Sequence, residues 1–208
     1  MDVFNLSVAP IPQLRIAFIG VGVRGIEAVK RYLQLEVQIV AIAEVGAEAM
    51  QKVKALTAHL PVPPAYYTAP DDWRKLCERP DIDLLYISTP WQQHAPMAIY
   101  AMQCGKHVAI EVPLAMTIAD CKRIVRTAEE TQRHCMMLEN VCYDHFELMS
   151  IELVKQGKLG ELVHAEGAYI HDLRHLNFRQ TDRDIERGKW RMQYSKTFEG
   201  NPYPTHGI

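Results

Sequence analysis

The sequence lacks the cysteine pattern of a zinc site or of a disulfide framework. Its five cysteines are an odd number, are scattered along the chain and include no Cys-x-x-Cys pair. Small buried thiols in a reducing compartment are the simplest interpretation of such residues. We therefore expect no metal at the functional site.

Three further absences narrow the class of protein. No stretch is dense in lysine and arginine and the net charge is −2, which argues against nucleic acid as a partner. No apolar run approaches the length of a membrane span, and residues 1–13 lack the basic start and apolar core of a signal peptide. We expect neither a nucleic-acid nor a membrane partner. The location is expected to be cytoplasmic, unless this sequence does not reveal it.

Short apolar runs alternate with longer amphipathic segments from residue 14 onward. The runs predict strands over 14–20, 37–45, 82–88, 107–113 and 135–140. The segments between and after them predict helices over 23–35, 47–60, 71–78, 95–104, 117–132 and 145–157. Strands separated by helices pair in parallel through right-handed crossovers, so the pattern predicts an α/β fold with a Rossmann-type doubly wound parallel sheet.

The pattern changes near Gly160. Residues 162–174 predict a strand with polar side chains at alternate positions, as in a sheet with one open face. We expect an extension over 1–13, a dinucleotide-binding domain over 14–143, and over 144–208 the start of a second α+β domain with a largely antiparallel sheet. A single strand cannot bury itself, so this domain looks truncated, and a homo-oligomer paired through its sheet remains an option.

A glycine-rich turn follows the first predicted strand directly. Gly20 would permit the tight turn, Gly22 would let the backbone approach a pyrophosphate, and Gly25 would allow close packing of helix on strand. Glu44 ends the second predicted strand, where a carboxylate can bind both ribose hydroxyls and repel a 2′-phosphate. The pattern predicts NAD rather than NADP, although Arg24 could reach toward a 2′-phosphate. The alternative is that the glycines form a tight turn that binds no ligand.

The loop after the strand over 82–88 carries a tryptophan. Loops at the carboxyl ends of parallel strands are where such sheets bind ligands. Trp91 could therefore pack against the nicotinamide end of the cofactor, or could simply cover the edge of the sheet as a half-buried aromatic residue.

Residues 89–115, TPWQQHAPMAIYAMQCGKHVAIEVPLA, resemble the second signature of the Gfo/Idh/MocA oxidoreductase family. In most dehydrogenases of that family the strand ends Glu-Lys-Pro, and the lysine contacts the hydroxyl that is oxidised. This sequence has Glu111-Val112-Pro113 instead, which puts the ordinary dehydrogenase site in doubt.

In this departure from Glu-Lys-Pro the sequence resembles one branch of the family, glycoside hydrolase family 109. EVP, LENVCY (138–143), HAEGAYIHDLR (164–174), KWR (189–191) and NPYPTHGI (201–208) together resemble it, and YIHDLR and YPTHG are the most specific parts. Members are NAD-dependent α-N-acetylgalactosaminidases about twice as long as this chain, so the resemblance covers their first half. A further tyrosine that the family uses has no counterpart up to Ile208.

The resemblance implies roles for particular residues. Besides Gly20, Gly22 and Gly25, the NAD would be lined by Val23, Arg24, Glu44, Trp91, Gln92, Gln93, His94, Glu111, Val112 and Asn140. The sugar would be faced by Tyr169, Arg191, Tyr203, Pro204, Thr205 and His206, and the catalytic candidates are His206, Tyr203, Tyr169 and His171.

The resemblance also implies a mechanism: oxidation of the sugar at C3 by NAD, removal of the C2 proton, loss of the C1 substituent, addition of water and return of the hydride. His206 is the first choice of base because its pKa lies closest to neutral, and Arg191 could hold a polar substituent. Individually, His171 and His206 could be structural, Tyr169 a packing residue, and Arg191 a surface partner of Trp190.

Three functions follow from this sequence as hypotheses. The first is an NAD-dependent glycosidase that acts on terminal α-linked N-acetylgalactosamine in a sugar or glycoconjugate. The second is an ordinary NAD-dependent sugar or polyol oxidoreductase, against which Val112 counts. The third is an NAD-binding fragment without turnover.

Overall fold

The computed structural model describes residues 2–140 and 142–166, together with Ala168, Ile170, Asp172, Lys196 and Thr197. The chain divides into two compact units, Met1–Asn140 and Val141–Ile208. The domain limits predicted at residues 13 and 143 stay predictions.

A six-stranded sheet in which every pair is parallel forms the centre of the first unit. Its strands lie in the order β3-β2-β1-β4-β5-β6, which is the strand order of a Rossmann fold. The strands are β1 Arg15–Ile19, β2 Gln38–Ala43, β3 Ala65–Tyr67, β4 Leu84–Ile87, β5 His107–Glu111 and β6 Cys135–Leu138. The predicted Rossmann-type parallel sheet is confirmed. The predicted strands had omitted β3, whose three residues are too few to show a periodicity.

A helix lies between each strand of the sheet and the next strand along the chain. These helices are α1 Val23–Tyr32, α2 Ala47–Thr57, α3 Asp72–Glu78, α4 His94–Gln103 and α5 Ile118–Thr131, and α6 His145–Lys155 belongs to the second unit. Thr117 caps α5, because its Oγ1 accepts the backbone N–H of Asp120 at 3.0 Å. Each predicted helix is present, with ends that differ by a few residues.

Both faces of the sheet are buried, which explains why the strands read as continuous apolar runs. Side chains alternate along β1, so Ile16 and Phe18 enter one core cluster while Ala17 and Ile19 enter the other. Phe18 lies 5.3 Å from the ring of Tyr86 on β4, centroid to centroid. The two clusters hold the carboxyl ends of the strands in register at one edge of the sheet.

In the second unit, the described residues contain α6, none of whose side chains is buried. The strand predicted over 162–174 is not seen in the described residues of that range, which are Leu162–Glu166, Ala168, Ile170 and Asp172. The remaining residues of the range lie outside the described ones, so the strand and its antiparallel sheet stay predictions. Throughout the described part of the chain, no helix combines the length and the apolar character that crossing a membrane would need.

Candidate cofactor site

The order in which the chain adds strands to the sheet reverses between β1 and β4, its two central neighbours. The crevice at this point is where doubly wound sheets bind ligands. The glycine-rich turn lies there, between β1 and α1. Gly20 has a φ of +83°, and a Cβ on it would lie 2.5 Å from the carbonyl oxygen of Ser88. A Cβ on Gly25 would lie 2.7 Å from Ser88 Oγ and would collide with the carbonyl oxygen of Gly20. The two glycines therefore let the turn and the loop after β4 touch.

Gly22 faces open space, since a Cβ on it would meet no atom within 4 Å. It is the N-cap residue of α1, and no side chain caps the N–H groups of the helix there. Uncapped N–H groups at a helix N-terminus attract anions, and the partial positive charge of the helix end adds to this. Val23 and Arg24 follow in the first turn of α1, and both are exposed. This end of the helix can receive a pyrophosphate.

Glu44 lies directly after β2 and is bound to the glycine-rich turn itself. Its Oε2 accepts the N–H of Val21, and its Oε1 accepts the N–H of Gly46, both at 2.6 Å. Each carboxylate oxygen has a second lone pair, so the side chain can also accept ribose hydroxyls. Glu44 thus stabilises the glycine-rich turn, a role that was not predicted from the sequence. Its contact with the ribose stays a prediction.

A cavity of about 460 Å³ opens at this edge of the sheet, bounded by Gly20, Gly22 and Glu44 on one side. Trp73 and Met97 are among the side chains that line the rest. Trp73 was not predicted as a site residue, although its position in the helix after β3 places it near the carboxyl ends of the strands. The apolar lining suits a flat aromatic group such as adenine.

The loop over residues 91–94, which is predicted to line the NAD, lies partly at the cavity and partly in the buried interior. Trp91, Gln92 and Gln93 form a turn of 3₁₀ helix before α4, and of these Gln93 reaches the cavity. Trp91 is half-buried, whereas His94 is 1% exposed. His94 Nδ1 lies 2.7 Å from the carbonyl oxygen of Pro113 and Nε2 lies 2.9 Å from that of Thr89. The predicted NAD contacts of Trp91, Gln92 and His94 stay predictions.

Glu111 ends β5, one strand farther along the edge. Its Oε1 accepts the hydroxyl proton of Tyr86 at 2.5 Å. Burial raises the pKa of Tyr86, and the hydrogen bond to Glu111 raises it further, so the hydroxyl stays a donor. Val112 follows with intermediate exposure, and Asn140 lies exposed after β6. The tyrosine fixes the direction of the Glu111 carboxylate.

The residues predicted to face the sugar all lie outside the described residues, so their roles stay predictions. They are Tyr169, His171, Arg191, Tyr203, Pro204, Thr205 and His206. Within the described part of the chain, His, Cys, Asp and Glu side chains form no group of three that could hold a metal ion.

The parallel sheet, the open glycine-rich turn and the acidic residue after β2 define a dinucleotide-binding Rossmann protein. Residues 14–139 match the model of the GFO_IDH_MocA family, described as an oxidoreductase family with an NAD-binding Rossmann fold. The chain belongs to this family. The match confirms the predicted family and its cofactor, NAD.

Residues 143–208 match a second family model, the C-terminal domain of glycosyl hydrolase 109, which confirms the predicted resemblance to that branch. An α-N-acetylgalactosaminidase from Bacteroides fragilis is 49% identical over 208 residues, which are 99% of this chain and 49% of that protein. The chain therefore spans about half the length of the curated relatives it matches.

Two solved structures show the same fold. Myo-inositol 2-dehydrogenase from Lactobacillus plantarum has a TM-score of 0.66 and 22% identity, with coverage of 74% of this chain and 44% of that one. Scyllo-inositol dehydrogenase from Lactobacillus casei, solved with NAD(H) and scyllo-inositol, has a TM-score of 0.63 and 20% identity, with coverage of 72% and 43%.

Proposed function

We propose that this chain holds NAD in the crevice between β1 and β4, and that the protein containing it is an NAD-dependent glycosidase that releases terminal α-linked N-acetylgalactosamine. One observation carries the choice of reaction: both parts of the chain align over 208 residues with an α-N-acetylgalactosaminidase at 49% identity. The match of residues 143–208 to the glycosyl hydrolase 109 C-terminal domain supports the same choice.

The described residues fit an NAD molecule. The open side of Gly22 and the uncapped start of α1 suit the pyrophosphate, and Glu44 suits the adenosine ribose. The cavity beside Trp73 and Met97 offers an apolar space of about 460 Å³ for the adenine ring. The carboxylate of Glu44 disfavours the 2′-phosphate of NADP, because two negative charges would then lie close together.

Bound NAD would supply a reversible hydride acceptor for one carbon of the sugar. The protein's own residues would orient the sugar and move protons. On the resemblance alone, His206 would act as the base, Tyr203, Tyr169 and His171 would assist proton transfer, and Arg191 would hold a polar substituent. These assignments are proposals about residues 143–208.

An ordinary NAD-dependent oxidoreductase of a sugar or polyol is the second candidate. The match of residues 14–139 to an oxidoreductase family favours it. Val112 counts against it, because an isopropyl group cannot donate a hydrogen bond to the hydroxyl that is oxidised, as the usual lysine does. An NAD-binding chain without turnover is the third candidate.

The experiment follows cleavage of an aryl α-N-acetylgalactosaminide and the absorbance of NADH together, in the protein that contains this chain. We expect release of the aryl group without accumulation of NADH. Accumulation of NADH without cleavage would establish the oxidoreductase instead. Retained NAD with neither reaction would leave only the cofactor-binding role.

A further inference from the structure

His94 has an unusual pair of hydrogen-bond partners for a buried histidine. Its two ring nitrogens lie 2.7 Å and 2.9 Å from the carbonyl oxygens of Pro113 and Thr89. A carbonyl oxygen only accepts, so each contact requires a proton on the nitrogen. Neutral imidazole carries one such proton and the imidazolium carries two. Both contacts are therefore hydrogen bonds only when the ring is protonated.

The ring joins the two loops that flank the cofactor crevice. On one side, Thr89 follows Ser88, whose hydroxyl donates to the carbonyl oxygen of Gly20 at 2.7 Å. That loop is therefore attached to the glycine-rich turn. On the other side, Pro113 follows Glu111 and Val112 at the end of β5. His94 thus links the pyrophosphate turn to the end of β5 without itself lining the cavity described above.

We propose that His94 is a positioning residue, which in its protonated form holds the loops after β4 and β5 together around NAD and so makes cofactor binding dependent on pH. The proposal rests on the proposed NAD site, because the two loops matter only if the cofactor lies between them.

The charges around the ring set the direction of this dependence. Burial lowers the pKa of His94, whereas the carbonyls of Pro113 and Thr89 and the negative charge of Glu111 oppose that decrease. Helix α4 and the two loops that contact His94, 88–93 and 112–117, carry no Asp, Glu, Lys or Arg. Helices α3 and α5 pack on α4 and do carry charged residues. Among the charges on these elements and on β5, that of Glu111 is the one that raises the pKa of His94.

NAD carries two negative charges on its pyrophosphate and one positive charge on its nicotinamide ring, so its net charge is negative and its binding at this edge of the sheet favours the protonated ring. The pKa of His94 is then higher in the complex than in the free protein. By linkage, NAD affinity is greatest below the pKa of the free protein and falls as the pH rises through the pKa of the complex. Because burial lowers the free-state pKa, the change begins below about pH 6.5.

The test is a titration of the full chain with NAD at several pH values from about pH 5 to 8, in which calorimetry measures the dissociation constant. We expect the dissociation constant of the wild-type protein to rise about tenfold across this range, since one unit of pKa shift corresponds to one factor of ten. His94→Gln can donate to one carbonyl and does not titrate, so it should bind more weakly at low pH and with a flat profile. His59→Gln, at an exposed histidine after α2, is the matched control and should keep the wild-type profile.

A second measurement needs no substitution. The ¹⁵N shifts of the His94 ring in the wild-type protein report whether both nitrogens carry protons, and we expect both to do so in the NAD complex at pH values where the free protein has one. A ring that stays neutral in the complex throughout the range would overturn the proposal, as would a His94→Gln profile identical to that of the wild type. If the wild-type chain bound no NAD, the proposed cofactor site would fail as well, whereas normal NAD binding with an inert His94 would refute only the positioning role.

Discussion

Replacing Glu44 by alanine perturbs the cofactor site in two ways that can be measured separately. The substitution removes a carboxylate that accepts the N–H groups of Val21 and Gly46, both at 2.6 Å. A hydrogen bond to a charged group contributes about 1.5–3 kcal/mol, but this carboxylate is partly exposed and is screened by water. We therefore expect the free energy of unfolding to fall by about 1–3 kcal/mol for the two bonds together, as measured by denaturant unfolding.

The same substitution changes the choice between NAD and NADP. Repulsion between the carboxylate and a 2′-phosphate, reduced by solvent, is on the order of 1–2 kcal/mol. Its loss should reduce the ratio of the NADP and NAD dissociation constants about tenfold. Damage to the turn weakens both cofactors alike and cancels in this ratio. Glu48→Ala removes an exposed carboxylate from α2 and is the control. An unchanged or larger ratio in Glu44→Ala would refute the reasoning.

Three further results are expected. Gly25→Ala should lower stability by about 1–3 kcal/mol and weaken NAD binding, since its Cβ would collide with the carbonyl oxygen of Gly20; unchanged denaturant midpoints would contradict this. The hydrogen bond from Arg15 lowers the pKa of Asp83, so Asp83 stabilises the fold above its unfolded pKa of about 3.9 and loses that effect as the pH falls through its lower folded value. The stability difference between the wild type and Asp83→Asn should therefore shrink on acidification, and a constant difference would exclude the pair as its source. Finally, cleavage in heavy water should place deuterium at C2 of the released sugar, which direct displacement by paired carboxylates would not do.

The parts of the fold that depend on local sequence were predictable. The strand, glycine-rich turn and helix over residues 14–35 show their periods and their turn residues within a single stretch. The cap of α5 is local in the same sense, because Thr117 and Asp120 lie within one turn of helix. The parallel order of the sheet followed from the alternation of strands and helices.

Contacts between distant segments were not predictable in the same way. His94 was assigned to the NAD because of its place in a family-like string, but its ring nitrogens meet carbonyl oxygens of two separate loops. The bond of Glu44 to Val21 spans 23 residues and depends on the register of β1 and β2. Trp73 lines the cavity from α3, the helix that follows the short strand β3, and this strand was not predicted.

The described crevice also bears on where proton transfer to the sugar would come from. Three of its titratable side chains already have partners: Glu44 binds two N–H groups, Glu111 binds the hydroxyl of Tyr86, and His94 faces two carbonyl oxygens. A general base must lie within hydrogen-bond reach of the proton that it removes, whereas hydrogen bonds of this kind fix these side chains against the turn and the loops that would hold the cofactor. We therefore expect the first unit to orient the cofactor, and the acid and base to come from residues 143–208. Loss of cleavage with retained NAD in His206→Ala would agree with this division, whereas a fully active variant would remove His206 from it.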